Sequence, residues 1–164
     1  MSGRVVPAPA TGRGDPAVQR LVQAAFETIR SRYVLARHQI AAAILDADGT
    51  VHVGLHVDAM IGRAAVCAEA CALSAARLST DAALVAVAAV RYPKPTEPPE
   101  ARLVPACGLC RELLLDHAPD LTVAINGSKG IELMPLKGLL PHKYVGTKWA
   151  ACAAPEATPT QTRL

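Results

Sequence analysis

Aromatic side chains are nearly missing from this chain: one Phe, three Tyr and one Trp make up 3% of its 164 residues. Charge is sparse as well, at 19%, and the balance is only +3. Together these shortages argue against a nucleic-acid binder, which needs a dense basic surface for phosphates and aromatic platforms for bases. No stretch approaches the roughly 20 apolar residues of a membrane helix. The opening "MSGRVVPAPATGRGDP" has no continuous apolar run of the kind a signal peptide carries. The expectation is a cytoplasmic protein that uses neither a membrane nor nucleic acid as its partner. No internal repeat is visible.

What the chain does have is apolar bulk, 51% of its residues, at a length that suits one domain with its own core. It also has five cysteines. Without a secretory signature, these point to metal binding or catalysis before disulfides.

The pattern divides into a flexible arm over residues 1–15, one domain over 16–150, and a flexible polar tail over 151–164 that contains Cys152. Asp15 is placed to cap a first helix and Pro16 to open it. Val18, Leu21, Val22, Ala25, Phe26 and Ile29 then recur at helical spacing. "RHQIAAAILDADGTVHVGLHV" reads as a hairpin with strands over 38–45 and 51–57, although Ala41, Ala42 and Ala43 are weak strand formers. A second helix follows over 66–79, then an apolar strand over 82–92 of the kind buried on both faces. "PKPTEPPE" is a proline-rich surface loop. "CGLCRELLLDHA" is a third helix, "LTVAIN" a central strand, 131–134 a short strand and "PLKGLL" a short helix. This order predicts an α/β domain in three layers, a mixed five-stranded sheet flanked by helices.

Cys107 and Cys110 form a C-x-x-C at the start of the third helix, and Cys67 starts the second. Helix N-termini favour anions, and thiolates are anions. If both starts point into one cleft, three thiolates leave the fourth tetrahedral position of a zinc ion open to water, the mark of a catalytic site. Glu69 then lies in the first turn, within reach of that water without being a ligand. A competing pattern sits beside this one. Cys71 is four residues past Cys67, and a closed site of Cys67, Cys71, Cys107 and Cys110 would hold zinc for structure only.

"CAE" (67–69) followed by "PACGLCRE" (105–112) resembles the zinc-dependent cytidine deaminase superfamily, and cysteine as the first ligand resembles its short cytidine deaminases and blasticidin S deaminases. The likeness spans roughly residues 20–150 and includes the first hairpin and "LLPHKY". It implies the three-layer cytidine-deaminase-like fold, zinc on Cys67, Cys107 and Cys110, and Glu69 as the proton shuttle. It implies hydrolytic deamination of a small cytidine-like nucleoside or aminopyrimidine, with activated water attacking the amino-bearing ring carbon. It also implies that the backbone at Ala68 and the Ala106 carbonyl hold the base, that His56 and Asp58 line the sugar pocket, and that the protein is a homotetramer.

The chain departs from the family pattern in four places. Pro105 stands one residue before its usual place, so Ala106 precedes the cysteine pair. His56 and Asp58 stand where nucleoside deaminases commonly carry Asn and Glu. Ala70 replaces an arginine that commonly follows "CAE", which leaves Arg111 as the candidate to compensate the net negative zinc–thiolate cluster. Cys71 is the fourth difference. The altered pocket makes blasticidin S or another heterocycle the alternative substrate. His38, His52, His117 and His142 show no partner pattern and are expected at the surface. Tyr144 and Trp149 are expected either over a bound base or as packing anchors.

Overall fold

Asp15 accepts the Ala17 N–H through its carboxylate at 2.8 Å, and α1 (Pro16–Arg32) starts behind it with proline in the first position. All six apolar residues expected on its inner face are buried. The computed structural model describes residues 6–7, 15–128 and 130–148. Within the arm expected over residues 1–15, Val6 is buried against the α1 side of the core.

The first hairpin pairs β1 (Ile40–Asp46) with β2 (Val51–Leu55) antiparallel, Ala43 opposite Val53. On its other edge β1 pairs antiparallel with β3 (Leu84–Arg91). β5 (Thr122–Gly127) runs parallel to β3, and β6 (Gly130–Pro135) returns antiparallel to β5. The main order is β2-β1-β3-β5-β6. Here the expected count of five strands is corrected to six. β4 (Arg102–Val104) leaves the proline-rich loop and pairs antiparallel with Ala89–Arg91 of β3. Three residues are too few to show alternation, and the prolines before them mask the strand.

Side chains alternate across the sheet, which makes the three layers. Ala41, Ala43, Ala86, Ala88 and Val90 pack against α1. Ala42, Ile44, Val87 and Ala89 pack against α2 (Ala68–Ser79) and α3 (Gly108–His117), with Leu136 of the short α4 (Leu136–Leu139). The alanines of β1 are weak strand formers, but both their faces are covered, and packing decides the strand. Small side chains stand in for the missing aromatics and let both helical layers approach.

Two polar contacts pin the loops around this frame. Asp46 accepts the N–H groups of Asp48 and Thr50 at 3.0 and 2.8 Å, and its other oxygen meets His52 Nε2 at 2.9 Å. His52, expected at the surface, is therefore buried, and its hydrogen bond holds the Asp46 carboxyl below its ordinary range. The proline-rich loop is tied down by Glu97, whose two oxygens accept from Arg91 at 2.7 and 2.8 Å. The guanidinium lowers the Glu97 carboxyl to about 2.

Candidate metal centre

Two helices begin at cysteine. Cys67 is the N-cap of α2 and Cys107 the N-cap of α3, both with extended backbone, ψ 148° and 168°. Neither cap side chain bonds its own helix, so both thiols are available to something else. The sheet brings the two starts together. Beyond β2, Val57 and Val66 exchange both backbone hydrogen bonds, at 3.0 and 2.9 Å, which lays the approach to α2 along the hairpin. Gly54 of β2 touches α2 so closely that a Cβ there would collide with the Ala72 nitrogen and the Ala68 carbonyl. α3 belongs to the crossover between the parallel strands β3 and β5, which brings its N-terminus to their carboxyl ends.

The Cys67 and Cys107 sulfurs are 3.7 Å apart, and with Cys110 Sγ all three lie within 4.8 Å of one another. This cluster can hold a metal ion. Cys110 is buried, Cys67 half-buried and Cys107 exposed, so the cluster opens on one side. Burial first, and the Glu69 charge second, push the Cys110 thiol far up; burial also raises Cys67. Without a cation these thiols keep their protons, and a bound cation is what draws them off.

Glu69 is the second residue of α2 and is 6% exposed. Among the described residues its carboxylate accepts no hydrogen bond, yet its charge bears on Cys67, Cys71 and Cys110. The arrangement is a three-thiol cluster with an open side and a buried acid in the adjacent turn.

No family model matches the chain. The blasticidin-S deaminase of Bacillus cereus is 37% identical to it over 125 residues, 76% of this chain and 89% of that protein. The chain belongs to the cytidine and blasticidin-S deaminase family. A cytidine deaminase from Halalkalibacterium halodurans is 32% identical over 129 residues, 77% of this chain and 92% of its own. Among solved structures, the cytidine deaminase from Mycobacterium tuberculosis has a TM-score of 0.63 at 25% identity, covering 80% of this chain and 99% of that one. The one from Bacillus anthracis also has a TM-score of 0.63 at 25% identity, covering 82% and 92%. The fold expected from the motifs is the fold these structures share.

In this deaminase the other expected site residues meet different partners. His56 falls opposite Cys67 across the Val57–Val66 pair; its Nδ1 is buried and has no partner among the described residues. Asp58 is exposed and caps its neighbour, accepting the Ala59 N–H at 2.8 Å. Ala68 opens α2 and is 1% exposed. The Ala106 carbonyl already accepts the Arg111 Nε–H at 2.7 Å, and Arg111 Nη1 reaches the Leu139 carbonyl at 3.1 Å. Cys71 is not in the sulfur cluster, so among the described residues the closed four-cysteine site does not form. Tyr144 is 79% exposed. Trp149, Cys152 and the expected tail lie outside the described residues.

Sequence reasoning missed the close approach at Gly54 and the carbonyl partners of Arg111. The first had a signal: a lone glycine inside a strand marks a place where another backbone comes near. The second had none, because the acceptors are main-chain atoms.

Proposed function

We propose that this protein is a hydrolytic deaminase of a small cytosine-type compound, a cytidine-like nucleoside or aminopyrimidine, with zinc held by Cys67, Cys107 and Cys110. The observation that carries this reading is the sulfur cluster. Tetrahedral zinc with Zn–S near 2.3 Å needs sulfurs about 3.8 Å apart, and the Cys67–Cys107 separation is 3.7 Å. The three thiolates would hold the ion, and the cluster's exposed side would leave it open to water. A zinc ion there supplies a Lewis acid that lowers the pKa of water on that side.

Glu69 does the proton work in this reading. Its carboxylate, held in the first turn of α2 and out of bulk solvent, takes a proton from the attacking water. It returns the proton to the ring nitrogen and assists departure of ammonia from the amino-bearing carbon. His56, opposite Cys67 across the Val57–Val66 pair, would contact the rest of the substrate, with Ala68 and Ala106 offering main-chain groups nearer the base. Asp58, whose Oδ1 accepts the Ala59 N–H, would meet substrate through its other oxygen.

One observation favours blasticidin S, itself a cytosine compound, as a second candidate substrate: the 37% identity to a blasticidin-S deaminase. A panel of cytidine, deoxycytidine, cytosine and blasticidin S, read by ammonia release, separates the candidates. Glu69→Ala is expected to lower turnover of the accepted compound by about 10²–10⁴-fold while zinc is retained. Undiminished turnover in that variant would refute the role of Glu69. Release from none of the four by zinc-loaded protein would refute the substrate class.

The same proposal includes self-association as a homotetramer in the cytoplasm. Met60, Ile61, Leu109 and Val145 are between 72% and 94% exposed, and other copies of the chain would cover such side chains. No helix among the described residues is long and apolar enough to cross a membrane. Light scattering that returned the mass of one chain would rule the assembly out.

A further inference from the structure

α3 carries a cation at the end where its dipole disfavours one. Arg111 lies in the first turn, next to the partial positive charge of the helix N-terminus. Its side chain folds back over that turn, Nε donating to the Ala106 carbonyl at 2.7 Å and Nη1 to the Leu139 carbonyl at 3.1 Å. Both acceptors are main-chain oxygens, and they come from separate segments. One immediately precedes Cys107; the other is the last residue of α4. A guanidinium joins two fixed carbonyls through one rigid plane, which an ammonium cannot do. Ala106 is 2% exposed, so little water is at hand to replace the arginine.

A second cation fixes the far side of this contact. Lys143 Nζ bonds Glu112 at 2.7 Å and Asp116 at 2.8 Å, two carboxylates one turn apart on α3, and is itself only 18% exposed. The end of α4 and the segment after it are thus tied to α3 twice, by Arg111 reaching out from the helix to Leu139 and by Lys143 reaching in.

We propose that Arg111 is a positioning residue for the metal centre. It holds the turn carrying Cys107 in register by clamping the Ala106 carbonyl to Leu139, and Lys143 keeps Leu139 where the clamp needs it. This rests on reading the three-thiol cluster as a zinc site. Three donors must meet one ion within narrow distance limits, so the turn that presents Cys107 has to be stiff. Ala106 has none of proline's fixed φ, and the clamp supplies that stiffness through hydrogen bonds.

The test uses the full-length protein and the variants Arg111→Gln, Arg111→Lys, Lys143→Met and the Arg111→Gln/Lys143→Met double. Zinc affinity is measured by competition with a chromogenic chelator. Visible spectra of the cobalt-substituted proteins report ligand geometry, and melts of metal-free protein report folding. Arg111→Gln is expected to lose about 10–100-fold in zinc affinity, the usual effect of an outer-shell partner, and to shift the cobalt spectrum. Arg111→Lys should recover only part of the loss. Lys143→Met should show a smaller loss, and the double variant should be no weaker than Arg111→Gln alone, because Lys143 acts through Arg111. A lowered metal-free melting temperature with unchanged zinc affinity and cobalt spectrum overturns the proposal. Full recovery by Arg111→Lys also overturns it, since charge alone would then suffice. Wild-type protein that holds zinc but deaminates no cytosine compound refutes the deaminase reading, and the affinities still decide the clamp.

Discussion

Cys67 and Cys71 are four residues apart, the spacing that stacks two side chains on one helix face. That spacing is what made a four-sulfur site a serious competitor. The rule fails here because Cys67 is the cap and not part of the helix. Its extended backbone turns the thiol out toward Cys107, whereas Cys71 is a true helical residue whose N–H bonds the Cys67 carbonyl at 3.2 Å. A substitution pair separates the two thiols. Cys71→Ser is expected to keep its zinc and its turnover. Cys110→Ser, losing a ligand outright, should fall by more than the about 100-fold that marks the upper range for outer-shell changes. Metal content after dialysis reads both. Zinc lost from Cys71→Ser would restore the closed site. At this scale spacing and residue type marked Cys67, Cys107 and Cys110, whose sulfurs the fold brings together, and Glu69 in the adjacent turn. It did not show where Arg111 and Asp58 direct their side chains. Those partners are the Ala106 and Leu139 carbonyls and the Ala59 N–H, which carry no residue identity to read.

At the scale of elements, the centre depends on how closely α2 lies on β2, and Gly54 sets that distance. Replacing a strand glycine by alanine ordinarily stabilises by about 0.4–1 kcal/mol through the unfolded chain. Here the new methyl would meet backbone atoms of Ala68 and Ala72, which cannot swing aside as a side chain can. Overpacking of this kind costs about 1–3 kcal/mol, so the clash wins. Gly54→Ala is expected to lower stability in urea unfolding and to weaken zinc binding, because displacing α2 carries Cys67 with it. Stability equal to or above wild type would show that α2 does not depend on this contact. The elements themselves were largely legible. The first helix, the hairpin and the apolar central strand follow from caps, turns and periodicity. The unread parts are those whose reason is tertiary. β4 exists because β5 covers only Ala86 and Val87 on that edge of β3, and the positions beyond were open for pairing. His52 is buried because Asp46 waits across the hairpin.

For the whole molecule, a metal ion held by the three thiols would link folding to pH. Cys67, Cys107 and Cys110 come from the starts of two helices far apart in sequence, so the cluster exists only in the folded chain. An ion bound there stabilises that state by about 2.7 kcal/mol when free metal is 100-fold above its dissociation constant. For a domain of this size, removal by a chelator should lower the melting temperature by about 5–10 °C. The gap should itself depend on pH. Burial raises the Cys110 and Cys67 thiols in the metal-free protein, so both carry protons at neutral pH, and both must lose them on binding. The sign follows: lower pH favours the protonated, metal-free state. The two buried thiols alone should make zinc affinity fall by at least about 100-fold for each unit of acidification. Melts with and without chelator at pH 8 and pH 6 measure this directly. The two curves should stand well apart at pH 8 and draw together at pH 6. A gap of the same size at both pH values would mean that the buried thiols are not the groups the metal displaces protons from.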